Sequence, residues 1–300
     1  MAKAAMAREA FFALRQEIAR IEGSLPARLD MPADKARADA GGEYLPTGAA
    51  RLDEVLGGGL PRAALTEIHG RQSRDAGAVA GFALALAALG RKGDEQPCPI
   101  LWIATGEALH EAGQPYAPGL LHRFALQPSD LLLASARKTE DALWIAEEAA
   151  GLSALSAVLL EVRGVSTRLD LTATRRLHHR TRTAGRPLYL LRQSGEPEPT
   201  AAPVRLIVAP APAGERRTVS GALAGSLGPP AFTVTVSRSR TSIPATLTLE
   251  WNRDEHSFRE RQAGAAAGRG QDAGAVVPLS SGRTHPADTA RPGLAHRRSA

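Results

Sequence analysis

The chain has one cysteine, Cys98, which excludes an internal disulfide framework and any cysteine-based metal site. The expected place for this small apolar thiol is the start of a buried strand. Long apolar runs are also missing. The longest, residues 82–89, is far too short to cross a bilayer. The first residues mix Lys3, Arg8, Glu9, Arg15 and Glu17 among apolar neighbours, unlike a signal peptide. The chain is therefore read as soluble and cytoplasmic, with no membrane contact. Lysine is scarce: only Lys3, Lys35, Lys92 and Lys138 stand among 37 basic residues. An arginine bias combined with abundant Ala and Gly is what a GC-rich genome produces without selection for a ligand. The net charge of +6 is thus a weak argument for nucleic acid, and half of it falls in residues 262–300, where five Arg face two Asp.

What is present suits one sizeable domain with tails: 300 residues, 43% of them hydrophobic. Residues 1–25 read as an amphipathic helix stopped by Gly23, Ser24 and Pro26, with Phe11, Leu14, Ile18 and Ile21 on one stripe. That stripe needs a surface to cover it, either the chain's own domain or a docking partner. Residues 26–44 are charged, Ala-rich and aperiodic, as a linker is. From residue 45 to 261 short apolar runs alternate with helical spacing. Strands are expected at 64–69, 99–104, 130–135, 157–162 and 187–192, with helices at 76–90, 115–124, 139–151 and 170–184 between them. That alternation predicts an α/β domain, a mostly parallel sheet flanked by helices. Runs at 203–208, 232–236 and 245–251 alternate more and are expected to close the sheet in antiparallel fashion. Residues 262–300 have the composition of a disordered basic tail.

Between the first core strand and its helix lies Gly70-Arg71-Gln72-Ser73-Arg74-Asp75-Ala76-Gly77-Ala78, where a phosphate loop belongs. A working loop needs Gly, four residues, Gly, Lys and a hydroxyl. Gly70 opens it, but Asp75, Ala76 and Gly77 stand at the other three places. Ala76 brings no charge to the phosphates, Gly77 offers no oxygen to Mg²⁺, and Asp75 adds a carboxylate that repels them. Arg71 and Arg74 are the candidate compensations, though neither lies at the lysine's position. Ser73 of the loop has no paired base, and Glu161, at the end of an apolar strand, is the acid that would orient a metal. The expected outcome is a non-catalytic protein without a cofactor or metal.

The lead-in Leu45-Pro46-Thr47-Gly48, Leu52-Asp53, Leu56-Gly57-Gly58-Gly59-Leu60-Pro61-Arg62 and Glu67-Ile68-His69-Gly70 resembles the approach to a RecA-type ATP-binding core. A narrower resemblance is to the ImuA family, RecA-like or SulA-like proteins of bacterial mutagenesis cassettes. It is carried by Gly57-Gly58-Gly59-Leu60-Pro61-Arg62, Pro115-Tyr116-Ala117-Pro118-Gly119-Leu120, Leu143-Trp144 with Glu147-Glu148, Leu169 to Leu177, Leu227-Gly228-Pro229-Pro230 and Leu249-Glu250-Trp251. These span roughly residues 45–260, and that family's phosphate loop is typically degraded as well. The resemblance implies a RecA-like core and a role in SOS-induced, error-prone translesion DNA synthesis. The implied partners are an ImuB-like Y-family polymerase homologue and, through it, an error-prone C-family DNA polymerase, with RecA and DNA as further candidates.

Other residues are weaker signals. Arg175, Arg176, Arg180 and Arg182 lie on one expected helix, either as a solvated face or as contacts to a phosphate backbone. Aromatic interleaving for single-strand stacking is absent. His178 and His179 diverge and do not converge on a metal. Glu107 is one residue out of place for a water-activating acid, and Gln193 ends a strand where RecA-like cores hold a nucleotide sensor. The segment 194–202 is acidic and would repel DNA. Two other readings stand beside the accessory role: a divergent ATPase or recombinase acting on DNA, and a SulA-like inhibitor of cell division.

Overall fold

A computed structural model describes residues 43–92, 97–193 and 197–261. The stripe Phe11, Leu14, Ile18 and Ile21 and the basic tail 262–300 lie outside the described residues. Within them the chain is an α/β domain built on one nine-stranded, mostly parallel sheet with helices on both faces.

The chain enters through β1 (Tyr44–Leu45), α1 (Ala50–Leu56) and β2 (Leu60–Pro61), the first and last paired antiparallel. Tyr44, assigned to the linker from sequence, therefore belongs to the domain. Asp53 accepts bonds from both the amide and the hydroxyl of Thr47 at 2.8 Å, which fixes the turn into α1. The glycine run has a steric cause. Gly59 has φ of +122°, and a Cβ there would sit 2.3 Å from the carbonyl oxygen of Leu45.

The sheet then forms from β3 (Leu65–Gly70), β4 (Ile100–Thr105), β5 (Leu131–Ala136), β6 (Ala157–Arg163), β7 (Leu188–Gln193) and β8 (Val204–Ala211). Each of the first five lies within a residue or so of its expected span. After the small hairpin β9 (Arg216–Thr218) and β10 (Gly221–Leu223) come β11 (Ala231–Arg238), β12 (Ala245–Asn252) and β13 (Ser257–Glu260). The order across the sheet is β13-β12-β11-β8-β3-β7-β6-β4-β5. The antiparallel expectation holds for β11 and β12, which β13 extends unforeseen, but β8 runs parallel to β3 and is antiparallel only to β11.

The helices are α2 (Ala76–Gly90), α3 (Gly106–Ala112), α4 (Ala117–Phe124), α5 (Thr139–Ala150) and α6 (Leu171–Ala184). Helix α2 is apolar on every side because it is enclosed, with Val79, Phe82 and Leu86 fully buried. Where one helix was expected after β4 there are two, broken at Gly113. Helices α2 and α4 cover one face of the sheet, while α5 and α6 cover the other. Asp170 caps α6 by accepting from the amide of Ala173 at 2.7 Å. Leu177 turns to the sheet as its position predicts, whereas Leu171 stays exposed. Cys98 precedes β4 and is half-buried, not set in a strand.

Few as they are, the aromatics concentrate. Phe82 of α2 packs on Phe232 and Phe258 at centroid distances of 5.5 and 5.0 Å, and Trp251 joins Phe258 at 5.1 Å. Ring packing thus fastens the antiparallel strands to the central helix. No described helix is long and apolar enough to cross a membrane.

Candidate functional site at the carboxyl ends of the strands

In an open sheet wound with helices, ligands bind beyond the carboxyl ends of the parallel strands. Strand β3 ends there at Gly70, followed by a 3-10 turn over Ser73–Asp75 and then α2. The turn is closed on itself. Asp75 is buried, and its carboxylate accepts from the amide of Gln72 at 3.0 Å, while its own amide donates to the Gln72 carbonyl at 2.9 Å. Gly70 allows this packing, since a Cβ would meet Val79 at 2.9 Å and Asp75 at 3.1 Å. The sequence marks Asp75 as hostile to phosphate. The structure adds that this carboxylate already takes an N–H of the loop, as a bound anion would. Ser73, Arg74 and Gly77 are exposed and Ala76 is half-exposed, so none closes over a nucleotide position.

Two strands away, Glu161 of β6 is buried on the α2 face. It accepts from the indole N–H of Trp102 at 3.0 Å and from the Gln193 amide at 2.5 Å. Burial pushes its carboxyl above the ordinary value of 4.5; the two hydrogen bonds and the positive charge of Arg163 oppose this only in part. The Arg163 guanidinium is itself bonded to Glu111. Gln193, at the place where RecA-like cores hold a nucleotide sensor, donates to Glu161. Glu107 is exposed in the first turn of α3.

The arginines of α6 are exposed, and two of them have acidic partners. Arg176 pairs with Glu147 at 3.3 Å and Arg180 with Glu148 at 3.8 Å, while Arg168 pairs with Glu140 at 2.9 Å. Two of the four candidate phosphate contacts are therefore opposed by acids of α5. Arg175 and Arg182 are also exposed. His178 accepts at Nδ1 from the amide of Leu65 at 3.3 Å and its pKa is lowered, first by burial and then by the charges of Arg182 and His179. Among the described residues no cluster of His, Cys, Asp or Glu could hold a metal.

No protein-family model matches the chain, and no curated protein matches it. The site has to be read from its own chemistry.

One feature of that chemistry is not visible in the sequence. Glu67 of β3 is fully buried on the α5–α6 face, yet it is paired with Arg205 of β8 at 2.8 Å and accepts from the Thr200 hydroxyl at 2.7 Å. Arg192 of β7 lies 3.9 Å from Glu67 and 2.5 Å from Glu198. The acidic stretch after β7, expected to repel a phosphate backbone, instead turns Glu198 onto buried arginines. The available signal is that Glu67, Arg192 and Arg205 each interrupt an apolar strand.

Proposed function

We propose that this chain is a RecA-like protein of the ImuA kind that has kept the scaffold and given up nucleotide chemistry. It serves as a non-catalytic accessory protein in SOS-induced, error-prone translesion synthesis and binds an ImuB-like Y-family polymerase homologue. Through that partner it joins an error-prone C-family polymerase. The observation that carries this reading is the Asp75 carboxylate bonded to the amide of Gln72, where a phosphate oxygen would have to lie. The acid closes the 3-10 turn ahead of α2 and sets a negative charge beside the place of a phosphate. Further support comes from edge strand β5, which pairs only with β4 and exposes Leu132 and Leu133 at 48% each. Tyr116 at 74% exposure adds to the apolar surface available for protein contacts.

The test has two parts. Calorimetry with Mg-ATP is expected to give no saturable binding, and turnover that is saturable and abolished by Glu161→Ala would overturn the reading in favour of a divergent ATPase. Pull-down of an ImuB-like partner by the full chain is expected, with loss on deleting residues 1–25. A truncated protein that folds and still captures the partner would remove the docking role of Phe11, Leu14, Ile18 and Ile21.

A further inference from the structure

Between the first turns of α2 and the connection from α3 to α4, the α2 face opens into a cleft of about 460 Å³. Its walls are largely apolar, with Ala80 and Leu84 of α2, Leu120 of α4 and Leu133 of β5. Trp102 and Glu161 also line it, as do Ala76 and Gly77 from the first turn of α2. Among the described residues that line the cleft, Glu161 is the only acid, and no Lys or Arg lines it.

A carboxylate held out of water needs a cation or a proton. Both donors to Glu161, the indole of Trp102 and the amide of Gln193, are neutral. Arg163, the basic residue whose charge reaches it, is bonded to Glu111. Glu67, by contrast, is buried with the Arg205 guanidinium in contact. At Glu161 the place for one faces open space. Apolar walls suit an alkyl stem, and the ring of Trp102 next to the carboxylate attracts a positive head group.

We propose that the cleft binds an organic cation: a guanidinium or primary ammonium on a slim apolar stem, with the head group paired to Glu161. Two sources present this chemistry, a free alkylated amine or guanidine and the basic side chain of a bound polypeptide. The inference is independent of the partner assignment above, since it rests on Glu161 and the cleft alone.

The experiment is calorimetric titration of the full chain with butylguanidinium and with its neutral isostere butylurea. The cation is expected to bind at least about tenfold more tightly, since the two differ only in the charge offered to a desolvated acid. Glu161→Gln is expected to abolish that preference. Ala80→Phe, which fills the cleft without touching Glu161, is expected to abolish binding of both probes; it carries the test if Glu161→Gln does not fold. A capped Leu-Arg-Leu peptide separates the sources. Tighter binding than butylguanidinium identifies a polypeptide side chain, and equal or weaker binding identifies a free small molecule. Equal affinity for cation and urea, or cation binding that survives both substitutions, overturns the proposal.

Discussion

Two buried glutamates lie on opposite faces of one sheet and have been treated differently. Glu67, on the face covered by α5 and α6, is enclosed by Arg205, Arg192 and Thr200. Glu161, on the face covered by α2, has two neutral donors and an open cleft. Desolvation penalises both charges, but only at Glu67 does the chain return an opposite charge within contact distance. The first arrangement is an ion pair within the chain, although Oε1 of Glu67 accepts no hydrogen bond. The second is incomplete, and incompleteness at the carboxyl end of a parallel sheet is where binding is to be sought.

The sharpest way to break the comparison is at Glu67. Glu67→Ala leaves the Arg205 guanidinium without its carboxylate, while Arg192 keeps Glu198, and is expected to lower stability by about 3 kcal/mol, read from urea denaturation. A loss below about 1 kcal/mol would show that the pair is not isolated from water. Asp75→Ala comes next. It removes the acceptor for the Gln72 amide and is expected to cost about 1 kcal/mol, with Mg-ATP binding still absent by calorimetry.

Glu161→Gln is expected to change stability by less than about 0.5 kcal/mol at pH 4. There the wild-type carboxyl is protonated, and the Gln193 amide can turn to accept from Gln at this position while Trp102 still donates. The difference then grows with pH. Because folding raises the Glu161 pKa, the native state holds its proton more tightly than the unfolded state. Wild-type stability is therefore lost relative to the variant as pH climbs above 4.5, and thermal melts of both proteins across pH 4–8 would show the crossing. A variant that becomes the less stable of the two as pH rises would reverse the sign and remove Glu161 from the comparison. The smallest effect belongs to the exposed pairs: Arg176→Ala or Arg180→Ala is expected to cost no more than about 0.5 kcal/mol, measured at low salt.

Much of this architecture was legible because its strands are continuous apolar runs bounded by helical spacing. β3 to β7 fall close to their expected bounds for that reason, and α2 begins and ends as read. Helix α3 was missed, since seven residues of helix give too few turns for a periodic signal. The direction of β8 was missed because alternation reports which face is buried and not which strand lies alongside. At the site, Asp75 was recognised as the obstacle to phosphate, while its bond to Gln72 needed coordinates. The pairing of Arg176 and Arg180 was not legible because their partners, Glu147 and Glu148, sit on a different helix.

The pair formed by Glu67 and Arg205 also bears on how the sheet finds its alignment. These residues are 138 positions apart in the chain and directly opposite one another across β3 and β8. Side chains alternate between faces, so a slip of one residue in β8 would carry Arg205 through to the α2 face. Glu67 would then be left charged and alone in the interior, at a cost that no apolar mismatch among neighbouring leucines would match. The buried charge pair makes the correct register of β8, and with it the placement of every antiparallel strand that follows, the one arrangement in which both charges are satisfied.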